Sequence, residues 1–271
     1  MLFILLLLMG KPDPIPHLET SYNVVRLADY PNGPNTLGCE DSVEVFNGLM
    51  TYVRFEYDIY KFVLHGELRF IKDENFPYPS TMLKAYSADG FKPQLLPFNS
   101  LNSLNGCHHL YKENLYFHSE LFATKEKRLL IGNIQTGRVT KAGFYGDNPF
   151  VNKDNPSIIY FDKDNDIWVA SKGFWGWNIY NFNVYYNTNL NTNLEEVQPY
   201  YTNGEVYFTR NYKEIWKYNI KSKTYTLLVK LKPNDEIVAI GEPSFDKKLY
   251  FLIVYKDGTN YDADIVEGSI K

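Results

Sequence analysis

Carboxylate, imidazole and amide side chains recur at equivalent places in a sequence that repeats itself five times. Such groups can bind sugar hydroxyls, a cation or the polar end of a peptide, and two carboxylates about 5 to 9 Å apart can act as acid and base in glycoside hydrolysis. If the chain is a hydrolase, the candidate catalytic residues are Glu40, Asp41 and Glu242. The alternative is that these groups are simply hydrated and need no ligand; against catalysis we prefer this alternative, so no catalytic residue is assigned. The ligand-binding candidates in this set are Glu40, Asp41, His108, His109, Asn155, Gln198 and Glu242.

The adjacent histidines His108 and His109 are the first place to look for a metal site. Successive residues of a strand point to opposite faces, so we expect one ring to face the interior and the other to pack elsewhere unless a bulge intervenes. The chain has five histidines and neither an H-x-H nor an H-E-x-x-H spacing. We therefore predict no metal site and no cofactor.

Aromatic and arginine residues supply further binding candidates. Trp175 and Trp177 flank a glycine in SKGFWGWN, which the repeat places in the turn between the second and third strands of the third unit. One of them could form an exposed platform for a sugar ring or a partner's apolar side chain, or both could pack between units. Arg54 and Arg210 lie near the ends of two second strands, where each could clamp a carboxylate or form a structural salt bridge.

The two cysteines, Cys39 and Cys107, occupy the same place in adjacent units. A disulfide requires Cα atoms closer than about 7 Å. If the chain is exported, the pair could link the first and second units; the alternative is two buried thiols.

Short strands must position these side chains. Pro156, Pro199 and Pro243 open three units at a period of about 43 residues, and each unit holds aromatic-rich segments such as LYFLIVY and VYFTR between polar turns. Aromatic residues, which favour sheets, make up 17% of the chain. The pattern predicts an all-β fold, a five-bladed β-propeller with four-stranded antiparallel blades. The approximate blades are 38–104, 105–148, 149–197, 198–240 and 241–271, the last completed by residues 20–30.

The ring needs a closing strand, because the last unit holds three strands and an open edge would leave backbone groups unpaired. Tyr22–Ala28 has the length and pattern to pair with Ala263–Val266. The alternative is a separate strand that packs elsewhere.

The segments GEPSFDKKLYF, NPSIIYF and QPYYTNGEVYF resemble the repeats of TolB-type propellers. That resemblance implies a propeller used as a periplasmic binding or scaffold domain. The presence of five units instead of six also resembles the five-bladed glycoside hydrolases that act on furanosides and related sugars.

The chain termini and charge restrict the cellular setting. Eight apolar residues, Leu2–Met9, precede a proline-rich break and have the size of a secretory-signal core, so residues 1–18 are expected to be a signal-like or disordered segment of an exported, periplasmic or extracellular protein. The apolar run is too short to span a membrane. A net charge of -4 with interspersed signs leaves no basic stripe, which argues against nucleic acid as a partner.

The sequence therefore predicts an exported, non-catalytic propeller, expected to be a monomer. It would serve as a recognition or scaffold module that binds a polar ligand, a glycan or a protein partner at the mouth of its channel. The alternatives are a glycoside hydrolase that uses the channel carboxylates and a purely structural repeat protein. Fold analogy does not choose among them.

Overall fold

The computed structural model describes residues 15–36, 39–58, 61, 65–67, 69–71 and 74–270. These residues form five antiparallel sheets arranged as the blades of a propeller, which confirms the predicted all-β fold. Two strands at the start of the chain, β1 (Leu18–Thr20) and β2 (Tyr22–Arg26), join blades 4 and 5. None of the described helices is long and apolar enough to cross a membrane.

Each blade contributes its strands in chain order from the channel outward. Blade 1 consists of β3 (Cys39–Phe46), β4 (Leu49–Phe55), β5 (Ser80–Tyr86) and β6 (Gln94–Leu95), and blade 2 of β7 (Ser103–Tyr111), β8 (Asn114–Leu121), β9 (Lys127–Asn133) and β10 (Val139–Lys141). Blade 3 consists of β11 (Asp147–Val151), β12 (Ile158–Lys163), β13 (Asp166–Gly173) and β14 (Gly176–Asn181), followed by helix α1 (Phe182–Tyr186). Blade 4 contains β15 (Glu196–Thr202), β16 (Glu205–Arg210), β17 (Glu214–Asn219) and β18 (Thr224–Leu231), and blade 5 contains β19 (Ile237–Asp246), β20 (Lys248–Asp257) and β21 (Asn260–Ile270).

The second strands carry the apolar residues that hold neighbouring blades together. In β20, the run Leu249–Val254 is buried on both faces, because blades lie against each side of the sheet. The aromatic rings of β8 and β12, Phe117 and Phe161, are almost fully buried in separate clusters between blades. The aromatic richness of the sequence is thus used to fill the spaces between sheets.

The ring closes where the sequence predicted. Strand β2 is the outermost strand of blade 5 and pairs antiparallel with β21. The pairing runs from Tyr22 opposite Ile270 to Arg26 opposite Val266, further along the chain than the expected Ala263–Val266. The difference arises because β21 continues to Ile270 instead of ending at Val266.

Blade 3 departs from the sequence prediction by one strand. The repeat that begins at Pro156 predicts Ile158–Phe161 as the innermost strand, but this segment belongs to the second strand, β12, and the innermost strand is β11. Consequently the SKGFWGWN turn joins the third and fourth strands, not the second and third, and Asn155 lies in the β11–β12 turn, at the end opposite the channel mouth.

In three places an asparagine side chain forms hydrogen bonds that connect one blade to the segment leading into the next. The amides of Asn35, Asn99 and Asn191 each accept from and donate to the backbone of one residue on the third strand of the preceding blade: Ile265, Met82 and Ile167, respectively. A side-chain amide thereby supplies the pair of hydrogen bonds that another strand would make. The buried backbone groups beyond the short outer strands are satisfied in this way.

Replacing Asn35 should destabilise the fold, because alanine leaves the backbone N–H of Ile265 without an acceptor and the carbonyl of Leu27 without a donor in a buried place. Asn35→Ala is expected to lower the free energy of unfolding by about 3 kcal/mol, measured by urea denaturation. Asn234→Ala is the matched control, since Asn234 also makes three hydrogen bonds but in an exposed turn, and it should cost about 1 kcal/mol or less. Equal losses in the two variants would contradict this role.

Candidate functional site

A left-handed residue interrupts the innermost strand of every blade at the same place. Each of these residues has a φ between 46° and 59°, and the strand register shifts there in the manner of a β-bulge. In blade order they are Ser42, Cys107, Asn148, Gln198 and Glu242. The sequence repeat placed Asn155 at this position of blade 3. In the structure the position is occupied by Asn148.

The five bulges surround a small channel cavity. Its volume is about 40 Å³, and each bulge residue lines it together with the residues that follow. Since a water molecule occupies about 30 Å³ in the liquid, the cavity has room for water but not for a sugar ring. A ligand as large as a sugar ring must therefore bind outside this cavity.

Side chains at the bulges connect consecutive blades around the channel. The Ser42 hydroxyl accepts from the Cys107 backbone N–H at 3.0 Å, and the Gln198 amide oxygen accepts from the Glu242 N–H at 2.9 Å. The Glu242 carboxyl group in turn accepts from the Val43 N–H at 2.8 Å. Gln198 and Glu242, predicted as ligand-binding residues, thus hold the ring together.

A buried charge network fills the deeper part of the channel. His109 Nδ1 contacts the Glu44 carboxylate, and Lys153 lies 3.4 Å from the same carboxylate and 3.1 Å from the centre of the Phe46 ring. Burial alone would raise the pKa of Glu44, but His109 and Lys153 lower it. Both histidines line the cavity, contrary to the expectation for adjacent strand residues, because the bulge at Cys107 intervenes. Burial lowers the pKa of His108 to about 3, so this ring is neutral.

Acidic groups gather at the mouth of the channel. Burial, followed by the charge of Asp41 and a hydrogen bond with it, raises the pKa of Glu242 well above its ordinary value. The neutral form of Glu242 is therefore favoured at this place. Burial and the charge of Asp147 raise the pKa of Asp162, which accepts from the Asn148 amide at 3.0 Å, to about 7. Carboxyl groups of both protonation states thus meet here at neutral pH.

A cleft of about 800 Å³ opens at this end, along blades 1 and 2. Such a volume is typical of small-ligand sites. Its wall carries aromatic rings, with Phe70 58% exposed, beside acidic, basic and amide groups. The lining residues are Asp41, Phe55, Glu56, Tyr57, Phe70, Pro79, Leu104, Asn105, Gly106, Cys107, His118, Glu120, Phe122, Lys125, Lys127 and Asp147.

An ordered hydrogen-bonded trio lies on one side of the cleft. His118 Nδ1 contacts the Asp147 carboxylate, and the Tyr145 hydroxyl donates to the same carboxylate at 2.9 Å. Burial works to raise the pKa of Asp147, but the hydrogen bonds from His118 and Tyr145 outweigh it and lower this pKa. Because His118 belongs to blade 2 and Asp147 to blade 3, the trio also connects these blades at the cleft.

Several predicted site residues lie outside both cavities. Glu40 is fully buried and accepts from the N–H and hydroxyl of Thr36, at 3.0 and 2.6 Å. Arg54 and Arg210 do end their second strands as predicted. However, Arg54 is fully buried and donates to the Ile71 carbonyl, whereas Arg210 pairs with Glu196 at 2.9 Å.

The tryptophans and cysteines separate into different roles. Trp175 is 95% exposed at the β13–β14 turn, while Trp177 packs edge-on against Phe144. Both cysteines are thiols, which corresponds to the second alternative and not to a disulfide. Cys39 donates to the Tyr261 carbonyl at 3.8 Å within a cluster against blade 5, whereas Cys107 lines the channel and the cleft.

Comparison with known proteins supports the fold alone. No protein-family model matches the chain, and no curated protein matches it. The bifunctional GH43-CE protein of Bacteroides eggerthii has a TM-score of 0.50 and 9% identity, covering 89% of this chain and 34% of its own. A GH43 protein of Bacillus licheniformis has a TM-score of 0.50 and 10% identity, covering 92% and 54%. This chain therefore spans between a third and slightly more than half of the length of these proteins.

TolB from Acinetobacter baumannii is also similar in structure, with a TM-score of 0.38 and 11% identity over 92% of this chain and 79% of TolB. The sequence resemblance implied a propeller, and the five antiparallel sheets described above show that architecture. Membership of a TolB-type repeat family is not supported by a matching family model.

The raised pKa of Asp162 predicts a specific pH dependence of stability. The folded protein retains a proton on this group up to about pH 7, whereas the unfolded chain releases it near pH 4. Stability is therefore lost as the pH rises through this interval, on the order of 1 kcal/mol per pH unit. Asp162→Asn cannot ionise and should reduce the fall in unfolding free energy between pH 5 and pH 8, measured by urea denaturation.

Asp164→Asn is the control, because Asp164 is exposed on the neighbouring turn. Its stability should follow that of the unmodified protein over the whole pH range. If the Asp162 variant also followed it, the interpretation of Asp162 as a buried acid would be wrong.

Proposed function

We propose that this protein is a non-catalytic recognition propeller that binds a small polar ligand of the saccharide class in the cleft along blades 1 and 2. The observation that carries this proposal is the contrast between the two cavities. The channel has a volume of about 40 Å³, whereas the cleft at its mouth has about 800 Å³. The sequence predicted a ligand site at the channel mouth. We now propose that it lies in the cleft on the side of the mouth formed by blades 1 and 2.

The composition of the cleft suits a sugar. Phe55, Tyr57 and Phe70 line the side contributed by blade 1 and can contact the apolar faces of pyranose or furanose rings. Carboxylates are strong acceptors for hydroxyl hydrogens, and Asp41 and Glu120 line the same cavity. Neither carboxylate forms a salt bridge with another residue in the described part of the chain.

The carboxyl geometry favours binding over hydrolysis by the predicted residues. Both carboxyl oxygens of Glu242 accept hydrogen bonds within the ring, from the Val43 N–H at 2.8 Å and the Gln198 amide at 3.1 Å, so this group is engaged in holding the blades together. Glu40 faces away from the cleft toward Thr36. Of the three candidate catalytic residues, Asp41 lines the cleft.

Glycoside hydrolysis is the second candidate function. One observation favours it: Asp41 and Asp147, on different blades, both line the cleft, and Asp147 has a histidine partner. An assay with aryl glycosides and oligosaccharides would reveal it as turnover that Asp41→Asn and Asp147→Asn both abolish. Turnover of this kind would replace the proposal of a non-catalytic module.

Export is part of the same proposal. It is supported by the apolar stretch Leu2–Met9, which lies outside the described residues. Sequencing the N-terminus of the mature protein from its natural host tests it, and an intact Met1 would exclude a cleaved signal.

Binding can be tested by isothermal titration with xylotriose, arabinotriose, cellotriose and lactose as probes. At least one probe should bind the unmodified protein. Asp41→Asn should weaken that binding at least tenfold, or about 1.4 kcal/mol, because a charged acceptor is lost while the asparagine oxygen still accepts from the Ser42 N–H. Leu104→Trp should weaken binding by placing a bulky ring in the cleft.

Phe174→Ala is the control, since Phe174 is exposed at the opposite end of the ring. It should leave both affinity and melting temperature unchanged. The proposal fails if no probe binds at millimolar concentration, or if a probe binds with an affinity that Leu104→Trp does not alter.

A further inference from the structure

The outer edges of the five blades differ in how they are protected from pairing with another strand. Natural proteins shorten such edges or place charges and prolines on them. Blade 1 ends in the two-residue β6 between Pro93 and Pro97, and blade 2 in the three-residue β10, which contains Lys141. The added strands β1 and β2, at the edges of blades 4 and 5, contain Glu19 and Arg26.

Strand β14 at the edge of blade 3 lacks these devices. It has six residues, GWNIYN, with neither a charge nor a proline. Its inner side pairs with β13, and in the described part of the chain no further backbone hydrogen bond involves residues 176–181. Ile179 and Tyr180 are 37% and 38% exposed. This edge can therefore accept another strand.

Blade 4 shows that the sheets of this molecule accept an additional strand. The short β1 pairs with β18, with Leu18 opposite Leu231 and Thr20 opposite Val229, so this sheet has five strands. The Thr20 hydroxyl also donates to the Leu228 carbonyl at 2.7 Å. Blade 3 lies beside blade 4 and presents a longer edge, with which no further strand of the described residues pairs.

Large apolar side chains are exposed at both ends of β14. Before it, Phe174 and Trp175 are 91% and 95% exposed and contact each other edge to face. After it, Val184 on helix α1 is 72% exposed. If β14 paired antiparallel with β14 of a second copy, Phe174 and Trp175 of each molecule would lie near Val184 of the other. The two-fold symmetry would create this contact twice.

We propose that two copies of this chain pair through β14 in an antiparallel, isologous dimer, in place of the monomer expected from the sequence. Centred on Ile179, the pairing would place Trp177 of one copy opposite Asn181 of the other. The edge is uncharged, so pairing it with itself opposes no like charges. Two-fold symmetry repeats each backbone and apolar contact, as a closed dimer requires.

The dimer can be tested on the full chain by sedimentation velocity over a range of concentrations. The mass should rise from that of the 31.6 kDa chain to twice that value as the concentration increases. Ile179→Lys should raise the dimer Kd at least tenfold, because it places two like charges together at the centre of the pairing. Circular dichroism should show an unchanged melting temperature for the variant, since this side chain is partly exposed.

Val139→Lys is the matched control, because Val139 is 43% exposed on β10, the edge strand of blade 2. It should leave the dimer Kd unchanged. A chain that remains monomeric at every concentration overturns the proposal. So does a dimer whose Kd responds to Val139→Lys and not to Ile179→Lys, or one that responds to neither.

Discussion

The left-handed residue in each innermost strand is the constraint on which the rest of the ring depends. A non-glycine residue in this conformation costs on the order of 1 kcal/mol or more, and it occurs in all five blades. In blades 1, 2 and 5, a backbone N–H at or beside the bulge donates to a side chain of the preceding blade. The hydrogen bonds that Ser42, Gln198 and Glu242 accept from those N–H groups offset the strain.

The left-handed bulges also narrow the channel, so the larger cavity of the protein lies beside the channel mouth. Side chains from five bulges, together with the Glu44–His109–Lys153 network, occupy the axis and leave about 40 Å³. Separating these charges would expose a buried carboxylate and an imidazole without partners, which is costly in a protein interior. The residues at the centre of the ring therefore hold the blades together. The space for a ligand lies at the channel mouth, along blades 1 and 2.

Much of the fold follows from the sequence because propeller blades repeat. The strand period, the aromatic second strands and the closing segment at Tyr22–Arg26 were all predictable from local patterns. Strand β11 was missed because it has five residues and contains the Asn148–Pro149 bulge, so it lacks regular alternation. The neighbouring segment around Pro156 resembles the start of the other units, so the sequence repeat was aligned on this segment instead of on β11.

The candidate site was harder to predict, since it depends on contacts between blades. His118 and Asp147 occupy unrelated places in their repeats, and their hydrogen bond exists because blades 2 and 3 meet there. A histidine in the second strand of blade 2, where the other blades have no histidine, was the available signal. The size of the cleft depends on the connection between β4 and β5, whose length is visible in the sequence but whose path is not.

Blade 5 is assembled from two distant parts of the chain, and this affects how the protein is made. Residues 22–26 leave the ribosome first among the strands of that blade, and residues 260–270 leave it last. In the interval, β2 has no sheet to join, and one side of blade 1 has no neighbour. The cost of closing so long a loop grows only slowly with its length, but the order of events is fixed. Until β19, β20 and β21 have been synthesised, the nascent propeller is an open arc with two exposed faces, and it becomes a ring when β21 pairs with β2.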